Sequence, residues 1–326
     1  MGDHDSLFKR AFSVPAHAAG ELRSVLPEAI AKALDLATLK VEPTSFVDAE
    51  MAHRHTDLLF SASISGRPSY VYFLLEHQSE PDALMPFRVL VYLQRIWAEL
   101  LRAEPKRKTL QPIITIVVHH GEQGWTAPRR FHDLVDGLKE SPELARFVPD
   151  FELLIDDLVL QDDEALQRRP LEPFPKIALW LLRDARSFEV LVKHRIAWTT
   201  EVTRLVQSDP RGEDVRTVLR YILRVAGEMP YELVRQRLVE TAPVFEEVMP
   251  SMEQLIEKGV EKGRQEGRQE GVRDTLMRTL TRLLRARFGT LEPAVEDRIG
   301  RASPDELDRW VERVIVAPSV EDVFKD

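Results

Sequence analysis

The sequence predicts an α/β protein whose C-terminal half is helical. Residues 56–76 contain two strand-like stretches joined by a turn, and residues 113–118 form a run of six apolar or β-branched residues, typical of a strand buried on both faces. Between them, residues 85–102 carry apolar side chains at helical spacing. From Pro175 onward the pattern is almost wholly helical and is interrupted by prolines. We therefore expect a sheet in the first half and an all-helical C-terminal extension.

Composition narrows the class of protein. The chain has 326 residues, 44% hydrophobic and 30% charged, as in soluble proteins of more than one domain. The absence of cysteine excludes disulfides and thiolate metal sites and favours a cytoplasmic location. A charged N-terminus predicts no signal peptide, and without about 18 consecutive apolar residues we expect no membrane span. The net charge of −9 argues against general coating of nucleic acid but leaves a locally basic groove open.

The two strand-like stretches, Thr56–Ser63 and Tyr70–Glu76, read as a hairpin. A turn centred between residues 66 and 67 places Asp57 opposite Glu76, and opposed Cβ atoms lie about 5 Å apart. Two carboxylates that close repel each other unless a cation lies between them or one keeps a proton. Gln78 falls on the same face as Glu76 because side chains alternate along a strand.

These oxygen ligands predict a Mg²⁺ site formed by Asp57 and Glu76, with Mn²⁺ or Ca²⁺ as alternative hard cations. The other interpretation is an exposed aspartate before one strand and an exposed glutamate after the next. His53 and His55 precede the hairpin and are weak metal signals. Asp156 and Asp157 follow a late strand pattern, and we expect them in a turn.

Several basic or aromatic residues are candidate contacts to DNA or phosphate. They are the helix residues Lys9, Arg88, Tyr92 and Arg95 and the strand-exit residue His120. The last three helix residues recur at spacings of 4 and 3, which predicts a shared helix face. The alternatives are a solvated helix surface for the helix residues and a packed core histidine for His120. Elsewhere in this half, residues 4–11, 15–26 and 34–39 have helical patterns.

Four segments carry a resemblance to a known family. They are HDSLFKRAFS (residues 4–13), FVDAEMAHRHTDLLF (46–60), YVYFLLEHQSEPDALMPFRVLVYLQRI (70–96) and IITIVVHHGEQGW (113–125). In this order and spacing they resemble the Rpn family of recombination-promoting nucleases, also described as transposases, which is placed in the PD-(D/E)XK superfamily. The resemblance implies a restriction-endonuclease-like mixed sheet flanked by helices, and a Mg²⁺-dependent DNA endonuclease that promotes recombination or serves mobile elements.

The superfamily motif maps onto individual residues. Its aspartate matches Asp57, and its (D/E)-x-K matches Glu76-His77-Gln78, so that Gln78 stands where most of the superfamily has lysine. The resemblance thus implies Asp57, Glu76 and Gln78 as the catalytic residues. As a separate hypothesis, Lys9 or Arg88 supplies the missing positive charge. The rival interpretation is a catalytically inactive module on a nuclease fold that binds DNA or protein. Nothing in the sequence supports strand-transfer chemistry.

The chain divides into four predicted parts: a nuclease-like domain (1–160), a helical extension (161–246), a glycine-punctuated charged helix or linker (247–275) and a small helical module (276–326). Ser251 and Gln254 predict a helix start, after which glycine recurs every four residues from 259 to 271. This tract is either a seam for a homodimer or a charged linker. Arg278, Arg282 and Arg285 form a basic ridge. Residues 303–306 predict a second capping box, in a segment that resembles a small helical domain of unknown function.

Overall fold

The computed structural model of the protein describes residues 3–42, 58–76, 81–184, 187–193, 195–241, 243–289 and 291–325. The chain divides into two compact units, residues 1–252 and 253–326. The strands are β1 (Leu34–Val41), β2 (Leu58–Ile64), β3 (Arg67–Glu76), β4 (Ile113–His119) and β5 (Leu154–Asp157). The helices are α1 (Asp3–Phe12), α2 (Pro15–Val25), α3 (Glu28–Ala33), α4 (Met85–Ala103), α5 (Asp163–Arg168), α6 (Pro173–Asp184), α7 (Phe188–Lys193), α8 (Arg195–Ser208), α9 (Glu213–Ala226), α10 (Tyr231–Thr241), α11 (Phe245–Phe288), α12 (Pro293–Arg301), α13 (Pro304–Arg313) and α14 (Val320–Val323).

The five strands form one mixed sheet in the order β1-β2-β3-β4-β5. β1, β2 and β3 pair antiparallel, whereas β3, β4 and β5 pair parallel. The predicted mixed sheet flanked by helices is thereby confirmed. Because β3, β4 and β5 run in the same direction, their carboxyl ends meet at one edge, and α4 provides the crossover from β3 to β4.

The hairpin between β2 and β3 has a tighter turn than predicted. Leu58 pairs with Phe73, so the turn consists of the two residues Ser65 and Gly66, with φ of 50° and 75°. Positive φ at both central residues defines the turn whose twist matches that of antiparallel strands. The predicted turn was centred one residue too late and would have paired Leu58 with Leu75. The register expected from the sequence was therefore wrong by two residues.

Helices pack against the sheet and against one another. On one face, residues of α4 pack against strand residues in a buried cluster that includes Tyr72, Met85, Val89, Tyr92 and Val117. On the N-terminal side of the unit, α1 packs against α6 and α9, and α2 packs against β1. The helical extension thus packs into the same unit as the sheet.

A buried ion-pair cluster joins α2, β5 and the segment after α5. Arg169 donates two hydrogen bonds to the carboxylate of Asp156, at 2.7 and 2.8 Å, and one to Glu21. All three side chains are at least nine-tenths buried. Burial and the nearby Asp156 carboxylate raise the pKa of Glu21, against the opposing effect of Arg169. The expectation that Asp156 and Asp157 are turn residues was wrong, because both lie in β5 with buried carboxylates.

Three helix boundaries differ from the sequence patterns. Residues 34–39 form β1 rather than a helix, because pairing with β2 outweighs local propensity. The helical sequence pattern of residues 187–207 runs without a break, whereas the structure has two helices there, α7 and α8. Ser251 is inside α11 and does not cap it. That helix begins at Phe245, whose side chain is buried together with Val248.

The second unit has its own small core. The end of α11 packs with α12, α13 and α14 around Leu280, Leu284, Ile299, Leu307 and Trp310. The predicted capping box is confirmed at the start of α13, where Ser303 and Glu306 exchange hydrogen bonds. In the described parts of both units, no helix combines the length and apolar character that crossing a membrane requires.

Candidate active site

The carboxyl ends of the three parallel strands bring three polar residues into one row. Glu76 is the last residue of β3 and is the register partner of His119 in β4, which in turn is the partner of Asp157 in β5. In open α/β sheets, ligands bind outside the carboxyl ends of the strands. We call Glu76, His119 and Asp157 the strand-end row.

Around this row the structure leaves several buried polar atoms without a partner. Within the described residues, no hydrogen bond reaches either ring nitrogen of His119, Oδ1 of Asp157 or Nε1 of Trp125. His119 is fully buried, and its ring contacts that of Trp125 edge to face, with centroids 5.4 Å apart. Buried polar groups nearly always have partners, so a group of unsatisfied atoms marks a place where a water or ligand belongs.

The loop after β4 is held against β5 by one strong hydrogen bond. The backbone N–H of Trp125 donates to Oδ2 of Asp157 at 2.6 Å. Gly124 precedes it, and a Cβ there would lie 3.0 Å from the same carboxylate oxygen. Because Gly124 has no Cβ, the loop can come close to the carboxylate of Asp157. The loop uses Oδ2, so Oδ1 remains an acceptor without a donor among the described residues.

Two of the three predicted catalytic residues lie outside the described residues. Asp57 and Gln78 lie outside the described residues, and so do His53 and His55. The metal pair Asp57 and Glu76 therefore stays a prediction. The observed hairpin register does not support the pairing argument that led to it, and the resemblance to the family is its remaining basis.

His120 lies in a different environment from its neighbour His119. Its ring centroid is 5.0 Å from that of His4 in α1, and Nδ1 of His4 is 2.7 Å from the hydroxyl of Tyr221 in α9. Burial and the charge of Asp3 raise the pKa of Tyr221, which keeps the phenol neutral. This group of rings joins α1, β4 and α9.

The candidate phosphate contacts on α4 do not form one exposed face. The ring of Tyr92 is 5% exposed and packs edge to face on Tyr72, with centroids 5.9 Å apart. Tyr92 is thus a core residue, and its predicted place among the exposed arginines was wrong. Nη1 of Arg88 forms an ion pair with Asp82 at 2.8 Å, and Arg95 is half-buried.

Lys9, the remaining candidate cation, is half-buried on α1. In the described part of the chain it forms no ion pair. Its position relative to the strand-end row is set by the packing of α1 and not by any strand register, which is why the sequence alone gave no basis for placing it.

Sequence reasoning missed His119, Asp157 and Trp125. The signal was present in the run His119-His120-Gly121 at the exit of a buried strand, but two adjacent strand residues face opposite sides of a sheet. Choosing between the two histidines required the register of β4 with β3 and β5, which is a tertiary property.

The fold and the strand-end row define an α/β protein with a polar site at the carboxyl ends of its parallel strands. The chain belongs to the family described as "Putative transposase, YhgA-like" (Transposase_31), whose model matches residues 2–210. This agrees with the resemblance to the Rpn family found in the sequence. No solved structure matches the chain, so the comparisons do not identify the superfamily of the fold.

The chain is similar to several curated proteins of Escherichia coli K12. It is 28% identical over 267 residues to the "Inactive recombination-promoting nuclease-like protein RpnE", covering 78% of this chain and 82% of RpnE. It is 33% identical to the recombination-promoting nuclease RpnA and 32% identical to RpnC, each over 168 residues. Each of these two matches covers 51% of this chain. The match covers 56% of the length of RpnA and 54% of the length of RpnC.

Proposed function

We propose that the protein is a metal-dependent DNA endonuclease with its active site at the strand-end row. The observation that carries the proposal is the register that aligns Glu76 with His119 and Asp157 at the carboxyl ends of three parallel strands. Membership of the family and the similarity to RpnA and RpnC, which are named nucleases, support the same reaction class.

The row contains atoms of the types that bind divalent cations, although the described residues contain no group of three or more His, Asp or Glu side chains placed to hold a metal. Oδ1 of Asp157 and the nitrogens of His119 are uncommitted, and carboxylate oxygen and imidazole nitrogen are ligands that Mn²⁺ accepts, while Mg²⁺ prefers the oxygens. We propose that Asp57 and Glu76 hold the cation, with Mg²⁺ as the first choice and Mn²⁺ or Ca²⁺ as alternatives. A bound cation would polarise the scissile phosphate and lower the pKa of an attacking water.

The remaining roles fall to residues of this chain. Gln78 orients the attacking water or donates a hydrogen bond to a phosphate oxygen, since an amide carries both donor and acceptor groups. Lys9 supplies positive charge, because Arg88 is already paired with Asp82. His119 holds a water between the strand ends, which satisfies ring nitrogens that otherwise lack a partner among the described residues.

A second function is favoured by a specific observation. RpnE, whose match covers 82% of its length, is named inactive, and Gln78 replaces the lysine of the superfamily motif. A glutamine cannot stabilise developing negative charge as a lysine does. The alternative is therefore a module that binds DNA or protein on a nuclease fold without turnover.

Plasmid cleavage tests the proposal. The full chain is incubated with supercoiled plasmid and Mg²⁺ or Mn²⁺, and compared with Asp57→Ala and Glu76→Ala. We expect cleavage in the native chain to fall by about a hundredfold or more in both variants, as when a metal ligand or its support is removed. Glu28→Ala is the matched control, because this carboxylate is 81% exposed in α3 and pairs only at the surface with Lys32.

Calorimetry separates the two functions. Binding of Mn²⁺ that disappears in Glu76→Ala, together with cleavage, supports the nuclease. Cleavage that survives both alanine substitutions excludes this site, and DNA binding without cleavage in the native chain favours the inactive module.

A further inference from the structure

The second unit contains a cavity of about 410 Å³ between α12, α13 and the C-terminal segment. Its charged lining is predominantly basic: Arg298, Arg301, Arg309, Arg313 and Lys325. Asp297 and Glu306 are the acidic residues of the same lining. Five cations and two carboxylates line it, and Lys325 also pairs with Asp322, in a chain whose net charge is −9. We call this feature the arginine cavity.

Arg298 is held in place without any ligand. Its guanidinium carbon lies 5.5 Å from the ring centroid of Trp310 and 5.0 Å from that of Phe324, and its Nη2 donates to the carbonyl of Phe324 at 2.9 Å. Cation–π contact and one hydrogen bond thus fix the plane of the side chain. Among the described residues its other N–H groups have no acceptor, and a cation already ordered loses little entropy on binding.

Arg309 and Arg313 lie one turn apart on α13 and therefore share a helix face. Within the described residues neither forms a hydrogen bond or an ion pair through its side chain, although Arg313 is half-buried. Two like charges at this spacing on a helix repel each other. An anion between them would relieve that repulsion.

The two acidic residues of the cavity are committed to other partners. Asp297 forms an ion pair with Arg301 at 2.8 Å. Glu306 accepts hydrogen bonds from the backbone N–H and the hydroxyl of Ser303 at 2.8 and 2.7 Å, as part of the helix cap. Those bonds lower the pKa of Glu306, with smaller contributions from Arg309 and Arg298. The negative charge of Glu306 thus lowers the positive potential of the cavity, but one carboxylate does not neutralise three arginines.

We propose that the arginine cavity is a binding site for a phosphate group, carried by a nucleic-acid strand or by a free nucleotide. The planar guanidinium forks of Arg298, Arg309 and Arg313 match the oxygens of a phosphate, which offers acceptors in several directions. The volume lies within the range of small-ligand sites. The cavity is lined by residues of the second unit alone, so the proposal does not depend on cleavage by residues of the first unit.

The test uses the full chain in EDTA, so that nuclease activity plays no part. Binding of a fluorescein-labelled 20-nucleotide single-stranded DNA is followed by anisotropy, and binding of ATP and of inorganic phosphate by calorimetry. The double variant R309Q/R313Q removes two cavity charges and keeps a good helix former. We expect its affinity for the phosphate ligand to fall about tenfold or more, and its salt dependence to become shallower by about one to two phosphate contacts.

The matched control is R278Q/R282Q. These arginines are exposed on α11 at the same four-residue spacing in the same unit, and lie outside the arginine cavity. We expect a change of less than about threefold. A second variant, R298K, keeps the charge but loses the fork and the ring contacts, and we expect weaker binding than in the native chain. Circular dichroism checks that each variant is folded.

The outcomes separate the sources of the phosphate. DNA binding that weakens in R309Q/R313Q, without competition by ATP, assigns the site to a nucleic-acid strand, whereas ATP or phosphate binding with the same sensitivity assigns it to a free nucleotide. Equal losses in both double variants would mean a general charge effect and overturn the proposal. So would unchanged binding in R309Q/R313Q, or no binding of any phosphate ligand by the native chain.

Discussion

Removing the cation of the buried cluster tests what holds α2 against β5. In Arg169→Leu, the carboxylates of Glu21 and Asp156 stay buried, 0% and 4% exposed, without the guanidinium that now lies between them. Breaking a buried ion pair by deleting one partner costs about 3–5 kcal/mol, because the other charge is left uncompensated. We expect the free energy of unfolding of the first unit to fall by about this amount, measured by urea denaturation with the fluorescence of Trp180 as the probe.

The loss of stability in Arg169→Leu should depend on pH, in a direction that the pKa of Glu21 sets. Burial already raises the pKa of Glu21 in the native chain, so its ionisation opposes folding and its protonated form is favoured in the folded state. Without Arg169, which opposes this shift, the pKa of Glu21 rises further. The deficit of Arg169→Leu should therefore be largest at neutral pH and shrink as the pH falls toward about 4, the ordinary value for a carboxyl.

Arg168→Leu is the matched control, one residue away. The side chain of Arg168 is 68% exposed and lies 3.6 Å from Glu164 in a surface pair, which is worth less than about 1 kcal/mol. A triple replacement of Glu21, Asp156 and Arg169 by apolar residues of similar size should recover most of the loss. If Arg169→Leu unfolds at the same denaturant concentration as Arg168→Leu, the cluster does not stabilise the fold and the reasoning is wrong.

Three further substitutions test backbone and cap arguments. Gly20→Ala should destabilise the first unit by about 1–3 kcal/mol, because the new Cβ would lie 2.6 Å from the carbonyl oxygen of Pro170; thermal unfolding measures this. Gly66→Ala should cost about 1–2 kcal/mol by the same measurement, because its φ of 75° is unfavourable for a residue with a Cβ. Ser303→Ala should cost about 1 kcal/mol through the lost capping box with Glu306, seen as faster hydrogen exchange in α13.

Gly271→Ala provides the control for the glycine substitutions. Its Cβ would meet nothing within 4 Å in α11, so the higher helix propensity of alanine should make it neutral or stabilising by up to about 1 kcal/mol. A Gly20→Ala variant as stable as the native chain would show that α2 can move away from Pro170. For the cap, unchanged exchange in Ser303→Ala would contradict the capping argument.

Local sequence patterns were sufficient to predict secondary structure wherever the residues of one helix or strand determine its conformation. The stripe of residues 85–102 predicted α4, and the apolar run of residues 113–118 predicted β4. Gly289, with φ of 88°, directly follows α11, a position at which glycine is common. Helical periodicity, strand composition and the chirality of turn residues act within a few residues, so they can be read without knowledge of the rest of the fold.

The candidate site depended on more than local pattern. The family resemblance selected Glu76, but the spacing on α4 wrongly placed the buried Tyr92 among exposed residues, since the helix buries a wider stripe than its most apolar positions suggested. The sequence also could not decide between His119 and His120. The two are adjacent at the end of β4, and the sequence does not say which side of the sheet faces the site.

The sequence by itself determined the class of fold, the family and the acidic residue at the end of β3. Only the tertiary structure decided that β3, β4 and β5 are parallel and in a register that aligns Glu76, His119 and Asp157. It also decided that Arg169 joins carboxylates 148 and 13 residues away in the chain. Register and long-range ion pairs are set by the combined packing of distant segments, which no short stretch of sequence encodes.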